Sequence, residues 1–113
     1  MSVAAVRLER TFHALADASR LGMVERLSRG PASVMELAKP LDMALPSVMK
    51  HLRVLEQGRL VRSKKNGRVR VYTLAPRALA AIERWVVQRR QVWNDRFDRL
   101  DQLLAEEDDA TSP

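Results

Sequence analysis

Cysteine is absent from the 113 residues, and this inventory alone excludes disulfides, thiolate metal sites and thiol redox switches. Histidine is nearly absent, with only His13 and His51, so a transition-metal site lacks its usual ligands. No apolar run approaches the roughly 20 residues needed to span a bilayer. The opening Met-Ser-Val-Ala-Ala-Val-Arg-Leu-Glu-Arg lacks the apolar centre of a signal peptide. The expectation is a soluble, cytoplasmic protein with no membrane partner. Also missing are a glycine-rich phosphate loop, a nucleophile with its base, and paired carboxylates in an apolar setting. Asp95, Asp98 and Asp101 share an arginine-rich helical face and read as solvated ion pairs. Neither an enzyme nor a cofactor or metal is expected.

What the chain has in excess is positive charge. Lys and Arg number 20 against 14 Asp and Glu, for a net +6 and a pI near 10.7. Between Lys50 and Arg70 stand eight cations (Lys50, Arg53, Arg59, Arg62, Lys64, Lys65, Arg68 and Arg70) and one acid, Glu56. Such a concentration points to a polyanionic partner. With 46% hydrophobic residues, the chain is long enough for one compact domain and too short for two ordinary ones. That domain is taken as residues 1–105. Glu106-Glu107-Asp108-Asp109 then opens an acidic tail over 106–113, read as disordered.

The periodicities give an order of elements. Leu8, Phe12 and Leu15 recur at helical spacing over Val3 to Ala16. Asp17 is placed to cap a second helix with an apolar edge of Leu21, Val24 and Leu27, ended by Gly30-Pro31. Ser33-Val34-Met35-Glu36 fits a capping box, so a third helix starts there and Pro40 stops it. After a short break, Ala44 to Gly58 forms a fourth helix anchored by Val48, Leu52 and Leu55. Pro46, Lys50, Arg53 and Gln57 centre on its far side, Ser47 and Met49 flank them, and His51 lies nearer the buried edge. An ordinary amphipathic surface helix has the same pattern. The third and fourth helices, however, make a helix-turn-helix pair in which the basic member comes second, where base edges are met in the major groove.

Beyond Gly58 the period becomes strand-like, in two runs separated by Asn66-Gly67, the expected centre of a type I′ hairpin turn. Lys64, Lys65 and Arg68 ring its tip and Arg70 follows; edge hairpins also carry lysine simply to block aggregation. From Pro76 a long helical pattern runs to about Leu104, with Leu79, Ile82, Val86, Trp93, Phe97, Leu100 and Leu104 in one stripe and Trp85 widening it. A helix of this length would overhang so small a domain, and pairing with a second copy is the simplest cover for its stripe. The candidate DNA-binding residues are therefore Pro46, Ser47, Lys50, His51, Arg53, Lys64, Lys65, Arg68 and Arg70. The candidate dimerisation residues are Leu8, Phe12, Val86, Trp93, Phe97, Leu100 and Leu104.

The expected fold is mainly α with a β-hairpin, a winged helix-turn-helix of order ααααββα. The residues themselves resemble the ArsR family of bacterial repressors. The likeness lies in Phe12-His13-Ala14-Leu15-Ala16-Asp17-Ala18-Ser19-Arg20, Leu45 to Glu56, Leu60-Val61, Gly67-Arg68 with Tyr72-Thr73-Leu74, and the end from Trp93 to Leu104. The resemblance implies a dimeric repressor on a near-palindromic DNA operator, with no effector identified. Ala44 and Met49 stand where members usually have Ser or Thr, and Gly58-Arg59 transposes the usual Ala-Gly. The cysteines, or Asp and His pairs, through which the best-known members sense metals have no counterpart here. A winged helix that binds a protein or RNA partner remains the alternative.

Overall fold

A computed structural model describes residues 2–111, and the side chains of residues 2–108. Ser2 begins the first helix, α1 (Val3–Leu15), by accepting the Ala5 amide on its hydroxyl at 3.1 Å. The deepest residues of α1 are Thr11 and Ala14, whereas Leu8 and Leu15 are half-buried and Phe12 is 38% exposed. The expected Leu8-Phe12-Leu15 edge is thus rotated, because small residues let α1 approach a neighbouring backbone closely. Asp17 caps α2 (Ala18–Leu27), with Oδ2 accepting from the Arg20 amide at 3.0 Å. Met23, Val24 and Leu27 face the core; Leu21, expected there, is exposed.

A two-residue strand that the periodicity did not signal, β1 (Ala32–Ser33), comes next. Ser33 also begins α3 (Val34–Ala38) through the expected capping box: the Glu36 amide reaches Ser33 Oγ at 3.2 Å and the Ser33 amide reaches Glu36 Oε1 at 3.4 Å. Then come α4 (Leu45–Gln57), β2 (Val61–Asn66), β3 (Val69–Leu74) and α5 (Ala80–Thr111). The sheet is antiparallel in the order β1-β3-β2, with Ala32 opposite Tyr72 and Val61 opposite Leu74. Val48, Leu52, Leu55 and Leu60 are completely buried, and Leu37 and Tyr72 nearly so, in the core beneath α4.

The chain divides into two compact units between Ile82 and Glu83. Pro76 opens a tight turn and not α5 itself, since the amides of Ala78 and Ala80 bond to the carbonyls of Ala75 and Arg77. At its other end α5 passes through the boundary expected at residue 105 and continues to Thr111. No proline or glycine interrupts that stretch, although its acids oppose the helix dipole at a C-terminus. Residues 112 and 113, the end of the expected tail, lie outside the described residues. No helix among the described residues is long and apolar enough to cross a membrane.

The end of α4 explains the Gly58-Arg59 pair. The Leu60 amide bonds to the Leu55 carbonyl and the Arg59 amide to the Glu56 carbonyl, each at 3.0 Å. These are the two bonds of a Schellman motif, closed by apolar contact between residues such as Leu55 and Leu60. The motif puts its turning residue in the left-handed region. Here that residue is Arg59, with φ of 60°. One position earlier there is no room for a side chain: a Cβ on Gly58 would lie 2.7 Å from Ala14 Cβ and 3.2 Å from the Arg10 carbonyl. Gly58→Ala should therefore destabilise the protein by about 2 kcal/mol through overpacking, while Arg59→Gly should stabilise it by about 1 kcal/mol by removing the left-handed cost. Urea unfolding midpoints check both, and equal midpoints for the two variants would contradict this account.

Candidate nucleic-acid interface

The buried edge of α4 fixes what its opposite face presents. With Val48, Leu52 and Leu55 inside, the side chains of Pro46, Ser47, Lys50 and Arg53 are exposed together. Pro46 sits in the first turn, where no amide donor is needed. Ala44 provides no side-chain cap, and only its carbonyl serves the turn, accepting from Ser47 and Val48 at 3.0 and 3.2 Å. Met49, on the flank of this face, is half-buried against the core.

His51 departs from the candidate set, because its ring turns toward α2 and away from the exposed face. Arg20 Nη1 lies 3.1 Å from His51 Nδ1, and Asp17 Oδ2 is 3.9 Å from the same nitrogen. A guanidinium has only donors, so Nδ1 accepts and the ring proton of this arrangement sits on Nε2. Arg20 also donates from Nε to the Ala14 carbonyl at 2.6 Å and from Nη2 to the His13 carbonyl at 3.3 Å. One side chain thereby ties the end of α1 to α4. Local spacing marks Asp17 as a cap, but nothing in it signals that Asp17 and Arg20 both meet His51, 31 residues from Arg20.

The hairpin differs from expectation by one residue. Asn66 pairs with Val69, so the turn residues are Gly67 and Arg68. Only Gly67 has positive φ, 68°, which is the pattern of a type II′ turn with glycine first. Asn66 is left in the strand, and Arg68 occupies the tip. Lys65 is directly opposite Arg70, on the face that also carries Ser63, while Lys64 projects from the other face. Arg70 Nη1 donates to Ser63 Oγ at 2.9 Å, which orients its guanidinium. Like charges directly opposite each other cost stability, and all four cations are exposed. A partner that brings negative charge to both faces and the tip removes that cost. Beneath them Tyr72 is buried, and its burial first, with the charge of Glu56 second, raises the phenol above its ordinary range.

Residues 15–64, from the end of α1 into β2, match the helix-turn-helix domain family. The HTH-type transcriptional regulator Rv2034 of Mycobacterium tuberculosis is 40% identical over 103 residues, which is 91% of this chain and 94% of that protein. Among solved structures, the ArsR family transcriptional regulator RHA00566 is 45% identical with a TM-score of 0.77, over 83% of this chain and 97% of that one. This chain belongs to the ArsR family. It is accordingly a helix-turn-helix transcriptional regulator, a DNA-binding and non-enzymatic class. The homodimeric winged helix-turn-helix DNA-binding domain Mb0332 from Mycobacterium bovis shares the fold at a TM-score of 0.62 and 24% identity, over 81% of this chain and 91% of that one. Among the described residues, no three His, Asp or Glu side chains gather where they could hold a metal ion.

Two carboxylates that hold ArsR-type elements in place are shifted downward. Asp17 is lowered chiefly by the Arg20 amide, then by the charge of Arg20; Glu36 is lowered chiefly by its bonds from Ser33, then by Arg26, whose guanidinium is 3.2 Å away. A depressed folded pKa contributes stability that is complete above the ordinary carboxylate values, 3.8 and 4.5, and is lost as pH falls through the folded values. Stability should therefore hold at neutral pH and decline from about pH 4.5 downward. In Asp17→Asn and Glu36→Gln variants that decline should be shallower, as measured by denaturant midpoints across pH 3 to 7. A wild-type slope in the opposite direction would contradict the assignment.

Proposed function

We propose that this regulator is a cytoplasmic, dimeric repressor that binds a near-palindromic operator. In this reading the N-terminal half of α4 lies in the major groove, and the β2–β3 hairpin acts as a wing along the backbone. One observation carries it: the outer face of α4 and the hairpin expose Ser47, Lys50, Arg53, Lys64, Lys65, Arg68 and Arg70 within a single compact unit, with Lys65 set against Arg70. Ser47 and Lys50 stand nearest the N-terminus of the reading helix and take the base edges. The hairpin cations take phosphates, and Arg68 at the tip is placed to enter a minor groove. His51 acts from behind by holding α4 against Arg20. With no cysteine in the sequence, a release signal, if there is one, is not a thiol-bound metal.

Dimerisation is assigned to α5, assisted by α1. Trp93, Phe97, Leu100 and Leu104 follow helical spacing and are each at least half exposed, and the Trp93 and Phe97 rings stack at 5.7 Å. Val86 is half-buried in the same stripe, and Leu8 and Phe12 supply the apolar part of α1. The homodimer formed by the M. bovis domain supports pairing as such. Two-fold pairing would set the reading helices about one DNA turn apart, roughly 34 Å.

Selection of retained fragments from a random DNA pool should recover a two-fold symmetric site, and the absence of enrichment would sink the proposal. With six to ten phosphate contacts, affinity for that site should fall by about a thousandfold or more between roughly 50 and 200 mM salt. Lys50→Ala should change sequence preference, whereas Lys65→Ala should weaken all sequences nearly alike. Equal losses on specific and random DNA for both variants would remove Lys50 from base reading.

The combined change Trp93→Asp and Leu100→Asp places carboxylates where subunits meet, and burying them is costly. Sedimentation should show a folded monomer with sharply weaker operator binding. A variant that stays dimeric and binds normally would move the interface elsewhere, and one that unfolds outright would assign the stripe to the subunit's own core.

A further inference from the structure

Away from the reading face, α1 turns Arg7, Leu8 and Thr11 toward a cleft of about 390 Å³. Its other walls are the Gly58-Arg59 turn, Arg62 at the start of β2, and the segment from Ala75 to Ala81. The volume falls within the range of small-molecule sites, about 300 to 1,000 Å³. Ala75, Ala78 and Ala81 make an aliphatic floor, while Arg7, Arg59, Arg62 and Arg77 supply four guanidinium groups and the lining contains no acid. Among the described residues none of these four arginines is in an ion pair. The one hydroxyl in the lining, on Thr11, already shares its proton between the carbonyls of Arg7 and Gly58 at 3.0 and 3.1 Å.

This chemistry selects a ligand. The free polar groups are charged donors, so the occupant must supply a negatively charged acceptor, and a carboxylate matches the planar guanidinium fork. The aliphatic floor calls for an apolar body, which an inorganic anion lacks. DNA phosphate is a poor candidate because the cleft lies at the far end of α4, about 12 to 17 Å along the helix from Lys50 and Ser47. Arg62 is likewise four residues, about 13 Å, from the end of β2 at Asn66. We infer that the cleft binds a small organic acid, with its carboxylate among Arg7, Arg59, Arg62 and Arg77 and its hydrocarbon over the alanines. Such a ligand touches both the turn that ends α4 and the strand that starts the wing.

Calorimetric titration of the full chain tests this without DNA, so its failure is distinguishable from failure of the operator reading. The probes are octanoate and benzoate, with octanamide as the uncharged match and inorganic sulfate as the anion without a body. At least one of the two acids should bind saturably, one per subunit, and about tenfold or more tighter than octanamide or sulfate. The double change Arg62→Gln and Arg77→Gln should weaken that acid about tenfold or more, and Lys39→Gln should leave it unchanged. Thermal unfolding of the double variant should match the wild type, because both side chains are exposed. Saturable binding by neither acid, equal binding of octanamide or sulfate, or an undiminished signal in a folded double variant would each overturn the inference.

Discussion

The close approach of α1 to the end of α4 is the constraint from which the rest of the first unit follows. Ala14 faces Gly58 with no space for another carbon between them, and Thr11 spans the same contact by reaching the Gly58 carbonyl. Because α4 must end there, Leu60 folds back onto Leu55 in a Schellman turn and both are completely buried. That turn aims Val61 into the core and sends β2 outward. The wing therefore inherits its direction from a contact made by two small residues and a glycine. At the same joint Arg20 bonds the last carbonyls of α1 and the ring of His51 on α4. The reading helix is thus held at both its middle and its end, which suits a site whose contacts must be made at fixed positions.

Charge is arranged against the grain of folding stability. Acids that could have neutralised the hairpin are absent between Arg59 and Arg70, and Lys65 is kept opposite Arg70. The depressed carboxylates, Asp17 and Glu36, are engaged at the starts of α2 and α3. The two signs are consequently assigned to different work: negative groups fix helix starts, and positive groups are left for a partner. Such separation lowers the stability of the free protein slightly and raises the attraction to a polyanion over long range.

Much of this was legible in the sequence, and the parts that were not share a physical reason. The cap at Asp17, the box at Ser33 and Glu36, and the buried edge of α4 each depend on residues within one or two turns, so local spacing specifies them. The inner face of α1 was misread because Thr11 and Ala14 are small, and apolar periodicity weights Leu8 and Phe12 instead. What put the small residues inside was Gly58, 44 positions beyond Ala14. Strand β1 was invisible because two residues carry no period, and only pairing to Tyr72 and Val71 makes them a strand. The Asn-Gly pair marks the hairpin, yet the register pairs Val61 with Leu74 and Asn66 with Val69, which moves the turn on by one residue. His51, nearer the buried edge on a helical wheel, is held by Arg20, a contact no local rule contains.

The transposed pair at the end of α4 joins these threads. In the order usual for the family, glycine would occupy the left-handed position and a residue with a Cβ would precede it. Here glycine stands first, which allows α1 its close approach, and Arg59 adopts a φ of 60°. Placing arginine there costs roughly 1 kcal/mol, and the helix end itself gains nothing in return, since the two Schellman bonds are main-chain bonds that glycine would make equally well. What arginine adds is a guanidinium at the mouth of the cleft beside Arg7, Arg62 and Arg77. Backbone strain retained where it contributes nothing to the fold is a mark of a functional position, and at this one the side chain lies between the reading helix and the first strand of the wing.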